Sequence, residues 1–190
     1  MLEVLREPLE SGRISISRAA RQAEFPACFQ LVAAMNPCPC GWAGDPSGRC
    51  RCSAEQIARY RGRVSGPLLD RIDLIVEMPR LPAAALRPDA ARGECSAVVA
   101  RRVTAARALQ APRGALNARL GPGALEQHAP LQPAEQALLE QAMERLRLSA
   151  RAGQRVLRVA RTIADLAGAA TIDRRHLAEA ISLRRVELAN

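Results

Sequence analysis

The sequence has few aromatic residues, no long apolar run and no phosphate-binding signature, and each shortage narrows what the chain can be. One Trp, one Tyr and two Phe in 190 residues leave the packing to Ala and Leu, a composition that favours helices over an all-β sandwich or barrel. So few rings also argue against base stacking on single strands, so phosphate contact is the expected mode for any nucleic-acid partner. No stretch approaches the roughly 20 apolar residues of a membrane span. The opening Met-Leu-Glu-Val-Leu-Arg-Glu is acidic and amphipathic, unlike the basic start of a secretory signal. A cytoplasmic location without membrane contact is therefore expected, where the six cysteines would be reduced, metal-bound or packed. Gly-x-x-x-x-Gly-Lys-Ser/Thr, the loop that cradles nucleotide phosphates, occurs nowhere in these 190 residues, nor does an apolar strand ending in paired acids.

What is present is a chain that is 48% apolar, enough to bury a core, with a formal charge of +9 and a pI near 10.7 carried by arginine. That charge points to nucleic acid or another polyanion, with solvated basic faces as the plainer alternative. The length suits one medium domain or two small ones.

Along the chain, Leu2, Leu5 and Leu9 fall at helical spacing, and Glu10-Ser11-Gly12 reads as a helix stop. Ile14–Ser17 alternates like a strand, and a second extended piece runs from Phe29 to Met35. Ser53 and Gln56 form a capping-box pair for a helix with Ile57, Tyr60 and Val64 on its apolar face. Gly66-Pro67 breaks that helix, and Ile72–Val76 is a compact apolar strand. Short apolar strands separated by a helix fit a parallel sheet covered on both faces. Residues 79–93, with three prolines, read as a linker. Everything beyond is helical, with apolar stripes at Cys95, Val98, Val99, Val103 and Ala106; at Leu138, Ala142 and Leu146; at Val156, Val159, Ile163 and Ala167; and at Leu177, Ala180 and Ile181. The expected class is α/β followed by all-α.

Three places carry possible chemistry. Asn36 ends the apolar segment Val-Ala-Ala-Met-Asn-Pro, and ligands of open α/β sheets sit at the carboxyl ends of strands; a neutral amide there orients water, or merely forms an Asx-turn before proline. Arg71 in Leu-Leu-Asp-Arg-Ile-Asp stands before a strand, as an arginine finger or as a local partner of Asp70 or Asp73. Arg151, Arg155 and Arg158 share one helix face opposite the apolar stripe, ordinarily a solvated basic face. Arg161 and Asp165, at i and i+4, read as structural.

Cys38-x-Cys40, nine residues, then Cys50-x-Cys52 is the strongest metal signal. Four thiolates satisfy tetrahedral Zn2+ and can hold a short loop without a core of its own; reduced free thiols and an iron–sulfur cluster are the alternatives. His128 and His176 read as surface or packing residues, and Cys28 and Cys95 as small hydrophobes.

Leu31-Val-Ala-Ala-Met-Asn-Pro-Cys-Pro-Cys-Gly, Ser65-Gly-Pro-Leu-Leu-Asp-Arg-Ile-Asp and Ser149-Ala-Arg with Val156-Leu-Arg-Val-Ala-Arg-Thr-Ile-Ala-Asp-Leu166 resemble, in order, the bacterial magnesium-chelatase-like, competence-associated AAA+ ATPases. The resemblance covers essentially the whole chain. It implies the C-terminal portion of an AAA+ core over 1–78, a linker at 79–93 and a helical lid over 94–190. It implies a ring-forming homo-oligomer that uses ATP and Mg2+ to move DNA, with Asn36 as first sensor, Arg71 as arginine finger and Arg151 as second sensor. Ser11–Arg18 resembles the pore hairpin of related helicases, which gives Arg18 a role toward DNA. A chelatase-type ATPase that inserts metal through a protein partner, and a non-catalytic binding or assembly module, are the rival expectations. Two departures stand out: Gly153-Gln154 replaces the usual aromatic and histidine, and Cys95 a usual serine.

Overall fold

The computed structural model describes residues 2–18 and 21–184. The chain divides into two compact units at Ile72/Asp73.

The first unit opens with a 3-10 turn, Leu2–Leu5, and helix α1, Arg6–Ser11. Gly12 ends α1 in the left-handed region at φ 69°, its N–H bonded to the Pro8 carbonyl. A side chain there is barred twice over, by the backbone and by the Cys28 Sγ, which would lie 2.9 Å from an added Cβ. Strands β1, Arg13–Arg18, and β2, Arg21–Pro26, then pair antiparallel, with Ile14 opposite Phe25 and Ile16 opposite Ala23. The expected strand at 14–17 is therefore present, as half of a hairpin.

The expected parallel sheet is not. Among the described residues this hairpin is the whole of the sheet. Residues 29–35 form no helix or strand, and Val32 is 84% exposed. Ile75 in the 72–76 segment donates its N–H to the Leu183 carbonyl, 2.8 Å, where a ladder bond was expected. A run of β-branched residues becomes a strand only where a neighbouring strand accepts its hydrogen bonds. Helix α2, Ala54–Arg61, begins at Ser53 with the predicted capping box complete, and α3 is the single turn Gly66–Leu69.

The second unit is helical: α4 Ser96–Gln110, α5 Pro122–His128, α6 Pro133–Arg145, α7 Ala150–Leu166 and α8 Arg174–Ser182. The core lies here, with Leu120, Leu125, Leu139, Val156, Ala160, Ala164, Ile172 and Leu177 in one cluster. α7 packs against α4, α5 and α8. Its buried line is Ala152, Val156, Ala160 and Ala164, rotated from the expected stripe, since Val159 and Ile163 are half-buried and Ala167 exposed. Small side chains at i, i+4 let neighbouring helices approach closely, so shape outranked hydrophobicity in choosing the inner face.

Polar side chains close the junction of α4 and α7. Asp165, 3% exposed, receives the Arg113 guanidinium through two bonds of 2.6 and 2.7 Å, Asn117 Nδ2 at 2.7 Å and Arg161 Nε at 3.1 Å. Arg161, 1% exposed, also donates to the Ala169 and Ala170 carbonyls. The expected structural pair of Arg161 and Asp165 is thus half of a larger buried network. Cys28 and Cys95, expected to pack as small hydrophobes, are both exposed. His176 caps α8, its Nδ1 receiving the Asp173 N–H at 3.2 Å.

Candidate metal centre

The loop between residues 37 and 53 has no helix or strand, only turns carried by glycines such as Gly41 at φ 80°. Those turns fold the two Cys-x-Cys pairs onto each other, and the four Sγ atoms of Cys38, Cys40, Cys50 and Cys52 lie within 4.8 Å of one another. The Cys38–Cys50 and Cys40–Cys50 separations are 3.8 and 3.7 Å, and Cys38–Cys40 is 3.3 Å. A tetrahedral ion with sulfur at about 2.3 Å would set its ligands about 3.8 Å apart. The donor set and its spacing therefore fit a four-thiolate metal ion. Cys38 is fully buried at the centre of the group and receives the Ala43 N–H at 3.3 Å.

The electrostatics match that chemistry. Burial opposes the Cys38 thiolate, yet its contacts with Cys40, Cys50 and the Ala43 and Trp42 N–H groups prevail and bring the thiol down to about 6. A backbone bond from Cys40 favours the Cys52 thiolate, but the Cys40 sulfur, burial and the Cys38 charge push it up to about 11. Four crowded sulfurs cannot all ionise without a counter-charge, and a cation among them is what would deprotonate the set.

Of the residues singled out for other chemistry, Asn36 lies beside this loop. Asn36 is exposed, and its amide lies 3.9 Å from where a Cβ on Gly41 would stand, against the cysteine loop. Arg71 is largely buried: Nε donates to the Arg6 carbonyl at 3.0 Å, Nη1 to the Pro67 carbonyl at 2.7 Å, and Nη2 to the Glu10 carboxylate. Neither Asp70 nor Asp73 is the partner that spacing suggested; Asp73 pairs with Arg155. Arg151 is exposed in the first turn of α7, below Ser149, whose side chain caps the helix at the Ala152 N–H. Arg155 and Arg158 are not the solvated face that was expected. Arg155 is held by Asp73, and Arg158 donates Nε to the Leu120 carbonyl at 3.0 Å. Arg18 ends β1, and its side chain lies outside the described residues.

Spacing alone did not reveal Glu10 as the holder of Arg71, 61 positions away. The sequence has no glycine-rich phosphate loop and no lysine, and the Arg71 guanidinium is taken up by Glu10 and two carbonyls.

The order of segments, the thiolate loop and the helical bundle together define a class, and comparison with known families makes it explicit. Residues 1–86 match magnesium chelatase, subunit ChlI, and residues 93–184 match the ChlI C-terminal family. The chain belongs to this magnesium-chelatase family of AAA+ ATPases, of which it is a C-terminal portion. Among curated relatives it is 48% identical to competence protein ComM of Haemophilus influenzae over 97% of its own length. It is 46% identical to the uncharacterized protein YifB of Escherichia coli over 98% of its length, and 43% identical to the uncharacterized protein Mb2921c of Mycobacterium bovis over 97%. The chain spans 36–37% of the length of these relatives. No helix among the described residues is long and apolar enough to cross a membrane.

Proposed function

We propose that this chain is the sensor and lid portion of a ring-forming ATPase that uses ATP and Mg2+ to remodel branched or partly single-stranded DNA. The observation that carries the reading is the 48% identity to a competence protein across 97% of the chain. Competence is the uptake of DNA, and a charge of +9 suits a polyanionic partner. Residues 1–78 supply the end of the ATPase core, 79–93 a linker and 94–190 the lid. Asn36 orients the attacking water, Arg151 senses nucleotide from the lid, Arg18 faces DNA, and Arg71 stabilises phosphoryl charge in a neighbouring subunit. Zn2+ is the ion assigned to Cys38, Cys40, Cys50 and Cys52, in a closed structural role. The ChlI families matched favour one second reading, an ATPase that drives metal insertion through a protein partner; it requires no salt-dependent DNA binding.

The 190 residues alone are expected to show no ATP turnover. In a form extending over the full length of the relatives, Arg71→Ala is expected to remove about 10³–10⁵-fold of the hydrolysis rate while nucleotide affinity stays. Mixing these subunits with subunits disabled in the phosphate loop then restores part of the activity, because some interfaces join an intact site to an intact arginine. Glu10→Gln is the control, since it frees Arg71 without removing it. If mixed rings form and no mixture recovers, Arg71 serves only to tie α1 to α3, and its assignment as a finger is wrong.

A further inference from the structure

We propose that the outer face of the cysteine loop and α2 is a docking surface for a DNA strand, gripped by Arg49, Arg51, Arg59 and Arg63 with Trp42 and Tyr60 as stacking platforms. It rests on the reading of DNA as the partner and adds where on this chain a strand is held.

Charge is concentrated here. Between residues 37 and 64 stand Arg49, Arg51, Arg59, Arg61 and Arg63 against only Asp45 and Glu55. Arg49, Arg51, Arg59 and Arg63 are exposed, whereas Arg61 turns inward and donates Nε to the Pro37 carbonyl at 3.1 Å. The Arg59–Glu55 pair, 2.7 Å, is exposed on both sides, so water screens it and a phosphate can replace the carboxylate at little cost.

The rings decide the kind of partner. The sequence has one Trp and one Tyr, and both lie in this segment with an arginine over the ring. The Arg49 guanidinium carbon is 5.0 Å from the Trp42 centroid, and that of Arg63 is 5.9 Å from the Tyr60 centroid. A guanidinium laid on a ring offers a planar cationic face on which a base can stack. A cleft of about 510 Å³ runs between loop and helix, lined by Cys40, Cys52, Gln56, Arg59, Tyr60 and Arg63. The platform is held from below by the four-sulfur cluster and the Ser53–Gln56 capping box. The shortage of aromatics that argued against base stacking is thus offset by where the Trp and the Tyr are placed.

Trp42, as the sole tryptophan, reports directly on this surface. The test titrates the zinc-loaded 190-residue chain with a fluorescein-labelled oligo(dT) of about 16 nucleotides, following Trp42 emission and label anisotropy across a salt series. Trp42 emission is expected to quench in step with the rise in anisotropy. Arg59→Ala with Arg63→Ala should lower affinity about tenfold or more and reduce the log–log salt slope by about 0.7 for each arginine removed. Arg59→Lys with Arg63→Lys should keep the slope. Metal content and circular dichroism verify that each variant keeps its fold. If anisotropy rises while Trp42 stays silent and the double alanine variant binds normally, this surface is not used, although the DNA motor reading stands. Equal quenching by poly-glutamate would make it a surface for acidic proteins and overturn the proposal, as would the absence of any binding.

Discussion

At the scale of single residues, Asp165 decides more than its place in the sequence suggests. Burial works against its charge, but Arg113, Asn117 and Arg161 outweigh burial and hold its carboxyl below the usual range. A carboxylate whose value falls on folding stabilises the native state above its unfolded value, about 3.9. That contribution is lost as pH drops through the lower, folded value. The melting temperature should therefore fall on acidification from about pH 5 to about pH 3, and Asp165→Asn should melt lower at neutral pH with a shallower acid slope. Parallel pH profiles for the two proteins would show that Asp165 is not the group responsible. Asp165→Ala should be worse than either, about 3–5 kcal/mol by urea unfolding, because Arg161 would keep its buried charge without a carboxylate. Of this network only the Arg161–Asp165 pair was legible, being four positions apart on one helix; Arg113 and Asn117 lie 52 and 48 positions from Asp165, a separation no local pattern encodes.

At the scale of elements, the cysteine loop stands out because no helix or strand holds it. Its order comes from four sulfurs and a few glycine turns, so metal and structure should be lost together. Elemental analysis of chain purified without chelator should give one zinc per chain, and Cys38→Ser with Cys40→Ser should abolish it. Metal-free protein with four freely titrating thiols would make the loop a reduced hairpin. α2 ought to be less sensitive, since its start is fixed by Ser53 and Gln56 independently of the sulfurs; Ser53→Ala should cost about 1 kcal/mol. The capping box was legible because both partners lie within one turn. The segments at 29–35 and 72–76 were misread as strands because a short apolar run reports readiness to pair, whereas pairing itself depends on a neighbour elsewhere in the chain.

At the scale of the whole molecule, the two units are built on different principles. The apolar cluster that makes a core runs from Leu120 to Ala180, while residues 2–72 bury little beyond Pro8, Cys38 and Leu68. The helical unit is accordingly expected to stand on hydrophobic burial, and the first unit on its metal centre. A strong zinc chelator should abolish the Trp42 near-ultraviolet signal and leave the main helical unfolding transition in place. A chelator-induced shift of that transition as large as the loss of the Trp42 signal would contradict this division.

The sequence by itself determined what is local or periodic: the helical second half, the β1 strand, the Ser53 cap, the paired cysteines that the loop folds together, and the family to which the order of motifs belongs. Only the tertiary structure decided what depends on distant residues meeting. It gave Arg71 to Glu10, Arg155 to Asp73 and Arg113 to Asp165; it turned the inner face of α7 toward its alanines; and it set Tyr60, Arg59 and Arg63 around one cleft with Cys40 and Cys52. Local pattern encodes the backbone hydrogen bonds and caps that neighbours in sequence can satisfy. Charge pairing and close packing are settled by whichever groups the fold brings within reach, and their sequence separation leaves no periodic trace.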